Sequence, residues 1–374
     1  MKIIFLCGSL EPGRDGVGDY TRRLAGSLII QGWDVTLISL YDSYVKEFSE
    51  ATQDSGNGLI SVLRCPAIIN MKIKIVKIRK LISEFKPIWI SLQYVPFSFN
   101  TKGLHFGLAR CLNSLDKKIR WHIMFHELWV GMDEGSSLKM IYWGSLQQTM
   151  IKKLITKLKP IVIHTHSNLY IKMLEKLGFK AYHLPLFGNI PVVSKVKEND
   201  LIDGKHHSTQ KVISFVVFGN IHHGAPIDAF ATEAMLYKIN NGINIVLIMI
   251  GRCGTEQAHW ERTWRKAGLP VEVLGEQTQG IISNVLSRAS FGISTTPAIL
   301  IEKSGTVAAM REHGLNILCI SRPWQPRGFP KLNLPEGIIQ YKEGKLQELI
   351  KVGYQKDKLN IISTITRQMA NKLH

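Results

Sequence analysis

The residues best suited to bind a charged ligand lie in the second half of the chain. In the range Thr295–Gly314, Ser304, Gly305 and Thr306 come directly before a helical run, and Lys303 precedes them. The first N–H groups of a helix have no partner within the helix and attract anions, and a lysine beside them adds positive charge. We therefore expect a phosphate site here. A structural helix capped by a hydroxyl is the plainer alternative.

A histidine and a glutamate could contact the hydroxyl groups of a ligand. His126 follows the apolar segment Trp121–Phe125, and a neutral imidazole can accept a proton or hydrogen-bond a sugar or phosphate oxygen. Glu302 could accept hydrogen bonds from hydroxyls, and Glu127 is a weaker candidate for acceptor contact. We predict catalytic roles for His126 and Glu302. The alternative for His126 is a loop histidine satisfied by its own neighbours.

A glycine-rich loop follows the first apolar segment of the chain. Gly16 and Gly18 stand where the backbone could approach a ligand closely, with a helix N-terminus behind them. Asp19 and Tyr20 come next and are weak candidates for contact with an acceptor. Glycine loops are weak signals, and a plain turn between a strand and a helix explains this one equally well.

Two loops in the second half could add contacts to a ligand. Gly219 and Asn220 follow the apolar segment Val212–Phe218, and a pair of histidines comes next. No cysteine or carboxylate stands at ligand spacing beside them, so we expect no metal site. Arg252 follows another apolar segment and could clamp a phosphate, although a solvated surface arginine is nearly as good an explanation.

Short apolar segments alternate with segments of helical period, which predicts an α/β protein with parallel sheets. The strands predicted in the first half are Lys2–Cys7, Asp34–Ser39, Leu59–Arg64, Ile88–Gln93, Trp121–Phe125, Ile161–His164 and Ala181–Leu184. Those predicted in the second half are Val212–Phe218, Ile243–Ile250, Val271–Leu274, Phe291–Ile293 and Ile317–Ile320. A linker is predicted over Pro185–Gln210. The predicted domains are 1–195 and 211–342, with a cleft between them and a helical segment, 343–374, after them.

The composition is that of a soluble globular protein. Of 374 residues, 45% are apolar and 20% are charged, which excludes disorder, collagen and coiled coil for most of the chain. No apolar run approaches the roughly 18 residues that span a bilayer, and the first residues do not resemble a signal peptide. The five cysteines are widely spaced, which favours a reduced, cytoplasmic location.

The net charge of +18 is unevenly distributed. Residues 1–195 carry 26 basic and 14 acidic side chains, and residues 196–374 carry 21 and 15. A positive field of this size attracts nucleic acid, anionic membrane surfaces or phosphorylated small molecules. Nucleic acid is the least favoured partner, because no reader motif and no interleaved aromatic residues accompany the charge.

Together these motifs resemble the GT-B glycosyltransferases, most closely the retaining family 4 enzymes. The segment 16–20 (G-V-G-D-Y) is similar to that family's first glycine-rich loop, which in relatives faces the donor phosphates and the acceptor. The segment 93–97 (Q-Y-V-P-F) is similar to its acceptor-side strand end. His126 matches the histidine beside the transferred sugar, and Gly219 falls where the donor domain of relatives opens.

The chain departs from the family pattern at two places. Relatives carry an arginine and a lysine after the glycine that opens the donor domain, and both bind the diphosphate; Asn220 and Gly224 stand near those places here. Arg252 and Lys303 are the obvious substitutes. Relatives also carry a second glutamate that holds the donor ribose, and Met310 replaces it, or Ala309 if the alignment shifts by one residue. Nucleotide binding must therefore differ locally.

The resemblance implies two Rossmann-like domains and transfer of a sugar from a nucleotide-diphosphate donor to a hydroxyl acceptor. It implies retention of configuration, no metal and no cofactor, an acceptor-side first domain, and a C-terminal segment that packs back on that domain. A sugar-nucleotide epimerase or hydrolase of the same fold is one alternative. A sugar-nucleotide-binding protein that has lost catalysis is another, because of the missing glutamate.

A basic helical segment predicts contact with an anionic membrane. In the range 71–86, apolar residues recur at helical spacing and form one stripe that could cover the sheet. The basic residues at other positions are Lys72, Lys74, Lys77, Arg79, Lys80 and Lys86. A second basic stretch holds Lys152, Lys153, Lys157 and Lys159. We expect solvated lysines here and a weak, salt-sensitive association with the inner face of a membrane through the first domain.

Overall fold

The computed structural model describes residues 1–193, 212–329, 333–335, 337–351 and 362–374. They form two compact units. Unit 1 comprises 1–185, 325–329 and 362–374, and unit 2 comprises 186–193, 212–324 and the described residues from 333 to 351. Most of the predicted linker, Pro185–Gln210, lies outside the described residues. The predicted segment 343–374 is divided between the units.

Each unit is a parallel sheet with helices. The strands are β1 (Lys2–Cys7), β2 (Asp34–Asp42), β3 (Ser49–Asp54), β4 (Leu59–Pro66), β5 (Trp89–Tyr94), β6 (Arg120–Phe125), β7 (Val162–Thr165), β8 (Tyr182–His183), β9 (Val212–Phe218), β10 (Asn244–Ile250), β11 (Val271–Gly275), β12 (Phe291–Ser294), β13 (Asn316–Cys319) and β14 (Ile338–Gln340). The helices are α1 (Gly16–Ile30), α2 (Met71–Phe85), α3 (Leu108–Asn113), α4 (Leu138–Leu158), α5 (Asn168–Lys176), α6 (Ile227–Asn241), α7 (Gln257–Lys266), α8 (Gln279–Arg288), α9 (Gly305–Glu312), α10 (Leu346–Lys351) and α11 (Ile362–Leu373).

The sheet of unit 1 has the strand order β3-β4-β2-β1-β5-β6-β7-β8. Its neighbouring strands are parallel except β3 and β4, which are antiparallel. The central strands β1 and β5 are almost wholly buried, as expected for a parallel sheet covered on both faces. The edge strand β3 reads S-E-A-T-Q-D and has no buried side chain, which is why apolar patterning does not reveal it.

The sheet of unit 2 has the order β11-β10-β9-β12-β13-β14, and all its neighbouring strands are parallel. Aromatic rings fill its core: Phe215 of β9 contacts Phe230 of α6 and stacks on Phe291 of β12. Both units thus confirm the predicted α/β class with two Rossmann-like sheets. In such sheets ligands bind at the carboxyl ends of the strands.

A buried ion pair holds the loop after β1. The side chain of Arg64 donates to both carboxylate oxygens of Asp42, at 2.8 and 3.0 Å, and Asp42 is fully buried. Asp42 also accepts from the backbone N–H of Leu10 and from the hydroxyl of Ser39, each at 3.1 Å. Burial alone would raise the pKa of Asp42, but these hydrogen bonds and the charge of Arg64 lower it.

The expectation that every lysine of α2 is solvated is wrong for Lys74. This side chain is only 1% exposed, and its Nζ donates to the carbonyl oxygen of Leu40 at 2.8 Å. Burial lowers the pKa of Lys74. The cause is geometric, because Lys74 stands four residues before Ile78 and so lies on the same buried face of the helix. Lys77 is also engaged, in an ion pair with Glu50 of β3.

Among the described residues, no helix is long and apolar enough to cross a membrane. All five cysteines are free thiols, and four of them are buried.

Candidate functional site

Three neighbouring strands of unit 1 carry polar side chains on one face. Ser91 of β5 pairs with His122 of β6, and Met124 pairs with both Gln93 of β5 and His164 of β7. Residues two positions apart on a strand share a face. The register therefore places Ser91, Gln93, His122 and His164 on the same side of the sheet.

His126 directly follows β6 and is hydrogen-bonded on both sides of its ring. Its Nε2 lies 2.9 Å from Oε1 of Gln93, and its Nδ1 lies 3.2 Å from Nε2 of His166. Nδ1 of His166 in turn donates to the carbonyl oxygen of Leu184 at 2.8 Å. His126 is 8% exposed. A ligand hydroxyl can hydrogen-bond this ring only by replacing one of the two existing partners.

Burial keeps these histidines neutral near pH 7. Burial, together with the nearby His166 and His122, lowers the pKa of His126 well below its usual value. Burial lowers the pKa of His166 to about 3 and that of His164 to about 4. A neutral imidazole has one donor and one acceptor nitrogen, so this site suits a hydroxyl group better than an anionic phosphate.

Tyr20, predicted as an acceptor contact, is brought next to His126. Its ring lies edge-on to His126 and to His166, with centroid distances of 4.9 and 5.2 Å. Tyr20 is 2% exposed, and burial raises the pKa of its hydroxyl. The structure therefore makes Tyr20 part of the packing that surrounds His126.

The glycine-rich loop is held by its own side chains. Asp15 caps α1, and its Oδ1 accepts from the backbone N–H of Gly18 at 2.7 Å. A Cβ at Gly18 would lie 2.6 Å from the carbonyl oxygen of Ser9, so the close approach of α1 to the end of β1 requires glycine there. Gly16 has open space around it. Of the two glycines, only Gly16 has room for a ligand beside its Cα.

The two carboxylates predicted as acceptor contacts have different surroundings. Asp19 accepts from the backbone N–H of Gly13 at 3.0 Å and pairs with Arg22. Arg22 also donates to the carbonyl oxygen of Leu10 at 2.9 Å, so Asp19 helps to fix this loop. Glu127 is half-buried beside His126. Acceptor contact remains a prediction for both.

In unit 2, the loops after β9 and β12 meet at the carboxyl edge of the sheet. The backbone N–H of His222 donates to the hydroxyl of Thr295 at 2.8 Å. Gly219 has a φ of +79°, and a Cβ there would lie 2.8 Å from the methyl carbon of Thr306. A Cβ on Gly254 would collide with the side chain of Asn220. The predicted residue Gly219 is therefore a neighbour of Thr306 on α9. Asn220 is a neighbour of Gly254, in the loop after β10.

The helix N-terminus predicted to bind phosphate begins α9. Ser304 is the capping residue: its hydroxyl accepts from the backbone N–H of Val307 at 3.4 Å and lies 3.1 Å from the hydroxyl of Thr306. Gly305 is the first helical residue and has open space around it. Lys303 ends the short 3₁₀ helix just before and is half-buried. Glu302 precedes it on that same 3₁₀ helix.

Arg322, which the sequence analysis did not select, acts with Lys303 on His222, and we call Lys303 and Arg322 the cationic cluster. Burial lowers the pKa of His222; a backbone hydrogen bond opposes this, and the charges of Lys303 and Arg322 add to the lowering. Cβ of Arg322 lies 3.5 Å from the place where a Cβ on Gly224 would stand. Arg322 comes three residues after the end of β13. An arginine shortly after an apolar strand is the feature of the sequence that could have identified it.

Arg252 is the other residue expected to replace the diphosphate-binding arginine and lysine of relatives, and it forms an ion pair with an exposed glutamate. It pairs with Glu276 at 3.6 Å, and both side chains are more than half exposed. A phosphate at Arg252 would therefore compete with this carboxylate.

Met310, which replaces the ribose-binding glutamate of relatives, is fully buried. A Cβ on Gly292 of β12 would lie 2.7 Å from Sδ of Met310, so the thioether packs tightly against the sheet. Glu312, two residues on, accepts from the backbone N–H of Gly188 at 2.8 Å. Met310 is therefore a core residue of unit 2.

In the part of the chain that the structure describes, no three histidine, cysteine or carboxylate side chains form a group able to hold a metal ion.

Comparisons by sequence find no matching family model and no matching curated protein. Comparison of structures finds proteins with the same fold over the whole chain. The galactosyltransferase WaaB of the lipopolysaccharide outer core, in its apo form, is 14% identical with a TM-score of 0.56 over 100% of this chain and 99% of that one. HepE from Anabaena, in complex with UDP and glucose, is 15% identical with a TM-score of 0.57 over 100% and 99%.

A structure of another activity is similar to the same extent. The UDP-GlcNAc 2-epimerase from Neisseria meningitidis, bound to UDP-GlcNAc, is 9% identical with a TM-score of 0.53 over 100% of this chain and 99% of that one. The chain therefore shares the fold of the GT-B glycosyltransferases, a fold that also includes epimerases.

Proposed function

We propose that the protein transfers a sugar from a nucleotide-diphosphate sugar to a hydroxyl acceptor. In this proposal, unit 2 supplies the residues that bind the nucleotide diphosphate, and unit 1 supplies His126, which contacts the sugar. The fold supports the class of ligand, because the structures of WaaB, HepE and the epimerase all resemble this chain along its whole length.

The observation that carries the proposal is the cationic cluster at the strand ends of unit 2. Lys303 and Arg322 both act on the pKa of His222, and α9 begins two residues after Lys303, at Gly305, which has open space around it. Two cations beside the N-terminus of a helix match the two negative charges of a diphosphate, and such groups can stabilise it as a leaving group. Arg322 and Lys303 then do the work of the arginine and lysine that relatives place after the domain-opening glycine.

The finer features of the proposal follow the family resemblance. Retention of configuration, transfer of a hexose and catalysis without metal or cofactor belong to it, as do roles for Glu302 at the sugar hydroxyls and Asn220 near the nucleotide. Gly18 is the least favoured of the proposed ligand contacts, because its N–H already donates to Asp15.

A panel of nucleotide sugars tests the proposal directly. The full chain is incubated with UDP-, GDP-, ADP- and dTDP-sugars, with and without hydroxyl acceptors, and the released nucleotide and the new glycoside are measured. We expect one nucleotide sugar to release nucleotide faster when an acceptor is present. Failure of the chain to bind any nucleotide diphosphate at millimolar concentration would contradict the proposal.

The epimerase reading is a second candidate, supported by the structural likeness to two UDP-GlcNAc 2-epimerases. The same panel separates the two functions. A changed sugar without any acceptor would favour the epimerase, whereas formation of a glycoside requires a transferase.

We also propose that unit 1 associates weakly with anionic membranes from the cytoplasmic side. On α2, Ile73 and Val76 are more than half exposed, and Ile68 just before the helix is 84% exposed. Lys72 and Lys80 are exposed on the same helix. Apolar side chains among lysines are typical of surfaces that rest on anionic lipid.

A further inference from the structure

The polar side chains behind His126 form one continuous buried row. Its members, in order from one end, are the carbonyl oxygen of Leu184, His166, His126, Gln93, Ser91, His122 and His164, at successive distances of 2.8, 3.2, 2.9, 2.7, 2.7 and 3.0 Å. Every member is buried. Because water has little access to them, the hydrogen bonds between the members decide which ring nitrogen carries each proton.

The backbone carbonyl of Leu184 determines the first proton. A carbonyl oxygen only accepts hydrogen bonds, so Nδ1 of His166 carries a proton and donates it. A neutral imidazole has one proton, so Nε2 of a neutral His166 is an acceptor. Nδ1 of His126, at 3.2 Å, must therefore be the donor of that pair. It follows that Nε2 of a neutral His126 is an acceptor.

Gln93 is the residue that must adapt to this arrangement. Its Oε1 faces Nε2 of His126 at 2.9 Å, and two acceptors cannot share a hydrogen bond. With the oxygen in that place, the two rings of His126 and His166 must hold three protons and a buried positive charge. A half-turn of the amide instead presents its NH₂ group, and both rings stay neutral. Burial favours the neutral rings, since it lowers the pKa of both histidines.

The half-turn is compatible with the remainder of the row. The hydroxyl of Ser91 then donates to Oε1 of Gln93 and accepts from Nδ1 of His122. Nδ1 of His164 donates to Nε2 of His122. Nε2 of His164 has no hydrogen-bond partner among the described residues and carries no proton. In this orientation each member donates to the member before it in the row, so one direction of donation runs through all of it.

We propose that His166 is a positioning residue that holds His126 in the tautomer with its proton on Nδ1. Nε2 of His126 is then an acceptor, which the Gln93 amide occupies until a substrate hydroxyl replaces it. This inference rests on the proposed function, because the hydroxyl is that of the sugar or its acceptor. A ligand that offers a hydroxyl proton fits the site, and one that offers only an acceptor atom there does not.

Two substitutions of His166 separate the tautomer from general packing. In His166→Asn, the amide reaches the place of Nδ1 and can donate to Leu184, but it does not reach His126. In His166→Gln, the amide oxygen can stand where Nε2 stood and accept from Nδ1 of His126. His164→Asn is the matched control, because His164 of β7 is buried like His166 but has its hydrogen bond with His122 instead of His126.

Long-range ¹H–¹⁵N NMR of the full chain reports the tautomer of each histidine without any substrate. We expect the Nδ1–H form of His126 in the wild type, in His164→Asn and in His166→Gln. We expect a change to the Nε2–H form, or a mixture, in His166→Asn. An Nε2–H form in the wild type would overturn the proposal, and so would a tautomer of His126 that stays unchanged in a folded His166→Asn variant.

Turnover of the nucleotide sugar gives the second readout. We expect kcat of His166→Asn to fall by about two- to tenfold, the effect of losing one neutral hydrogen bond, with an unchanged Kd for the nucleotide diphosphate. His166→Gln should recover most of kcat, and His164→Asn should stay near the wild type. Equal losses in His166→Asn and His164→Asn would overturn the positioning role. If the wild type turns over no nucleotide sugar, the proposed function fails, and the NMR result still decides the tautomer.

Discussion

At the ends of its strands, unit 1 buries its polar side chains, whereas unit 2 leaves its cations half-buried or exposed. His126, His166 and Gln93 are buried and hydrogen-bonded to one another. Lys303 is half-buried and Arg322 is exposed. A neutral, buried site selects ligands by the direction of hydrogen bonds, and a charged, accessible site attracts anions from solution. Unit 1 therefore suits a neutral ligand with hydroxyl groups, and unit 2 suits an anion.

The largest effect should come from the buried ion pair of unit 1. Asp42→Ala removes the buried partner of Arg64, which keeps its ion pair with Glu11, so we expect a loss of up to about 3 kcal/mol of unfolding free energy, the lower end of the cost of breaking a buried pair. Chemical denaturation, followed by a probe in each unit, should show unit 1 unfolding earlier. Glu50→Ala, which removes the surface pair with Lys77, is the control and should cost less than about 1 kcal/mol.

The same carboxylate gives a pH dependence of known sign. The pKa of Asp42 is lowered in the folded protein, so its stabilising effect is complete above the unfolded pKa of about 3.9. That effect should be lost as the pH falls through the lower folded value. The loss of stability in acid should be smaller in Asp42→Ala than in the wild type. An identical acid profile in both proteins would show that Asp42 is not the group responsible.

Removal of His126 should separate turnover from nucleotide binding. Proton transfer or hydrogen bonding by a positioned side chain is worth about 10²-fold or more, so His126→Ala should lower kcat by about that factor. The Kd for the nucleotide diphosphate should change little, because we assign that ligand to unit 2. His122→Ala removes another buried histidine of the same strand face and is the control for stability. Equal losses of activity and stability in both variants would support a structural role.

Removal of the cations of unit 2 should instead weaken the binding of the nucleotide diphosphate. A charge-assisted hydrogen bond is worth about 1.5–3 kcal/mol, so Lys303→Ala and Arg322→Ala should each weaken diphosphate binding by about tenfold or more. Calorimetry with UDP and with the preferred nucleotide diphosphate measures the change. Lys266→Ala, at the far end of α7, is the control and should have no effect. Wild-type affinity in both variants would remove the cationic cluster from the proposal.

The sequence predicts much of this arrangement, for reasons that are physical. Buried parallel strands need apolar runs, so β1, β6 and β9 are evident from apolar residues alone. His126 directly follows an apolar strand and Lys303 comes just before a helix, so both can be recognised from their order along the chain. The partners of His126 are different, because Gln93 lies on β5 and His166 directly follows β7, and both meet His126 only through the register of the sheet. Arg322 likewise joins Lys303 through the fold.

Buried polar groups are the other feature that patterning misses. A helical stripe assigns Lys74 to solvent because it treats every lysine as exposed, yet a long side chain can lie against the sheet and end at one carbonyl oxygen. Asp42 and Arg64 likewise face each other in the interior. In each case a specific hydrogen-bond partner, distant along the chain, offsets the cost of burial.

The smallest effect concerns the surface of unit 1 and tests whether its positive charge acts outside the protein. With Lys74 buried and Lys77 paired with Glu50, α2 presents fewer available charges than its sequence indicates. Each remaining lysine near an anionic leaflet contributes about 1 kcal/mol, so Lys72→Ala should weaken co-sedimentation with anionic liposomes by roughly fivefold. Val76→Ser should weaken it through lost apolar contact, and Lys266→Ala of unit 2 should not.

Binding to anionic liposomes should also fall steeply by about 0.5 M salt, where the Debye length is well under 8 Å. Association that ignores salt and lipid charge would contradict an electrostatic mechanism, and no association at all would contradict the proposed membrane contact.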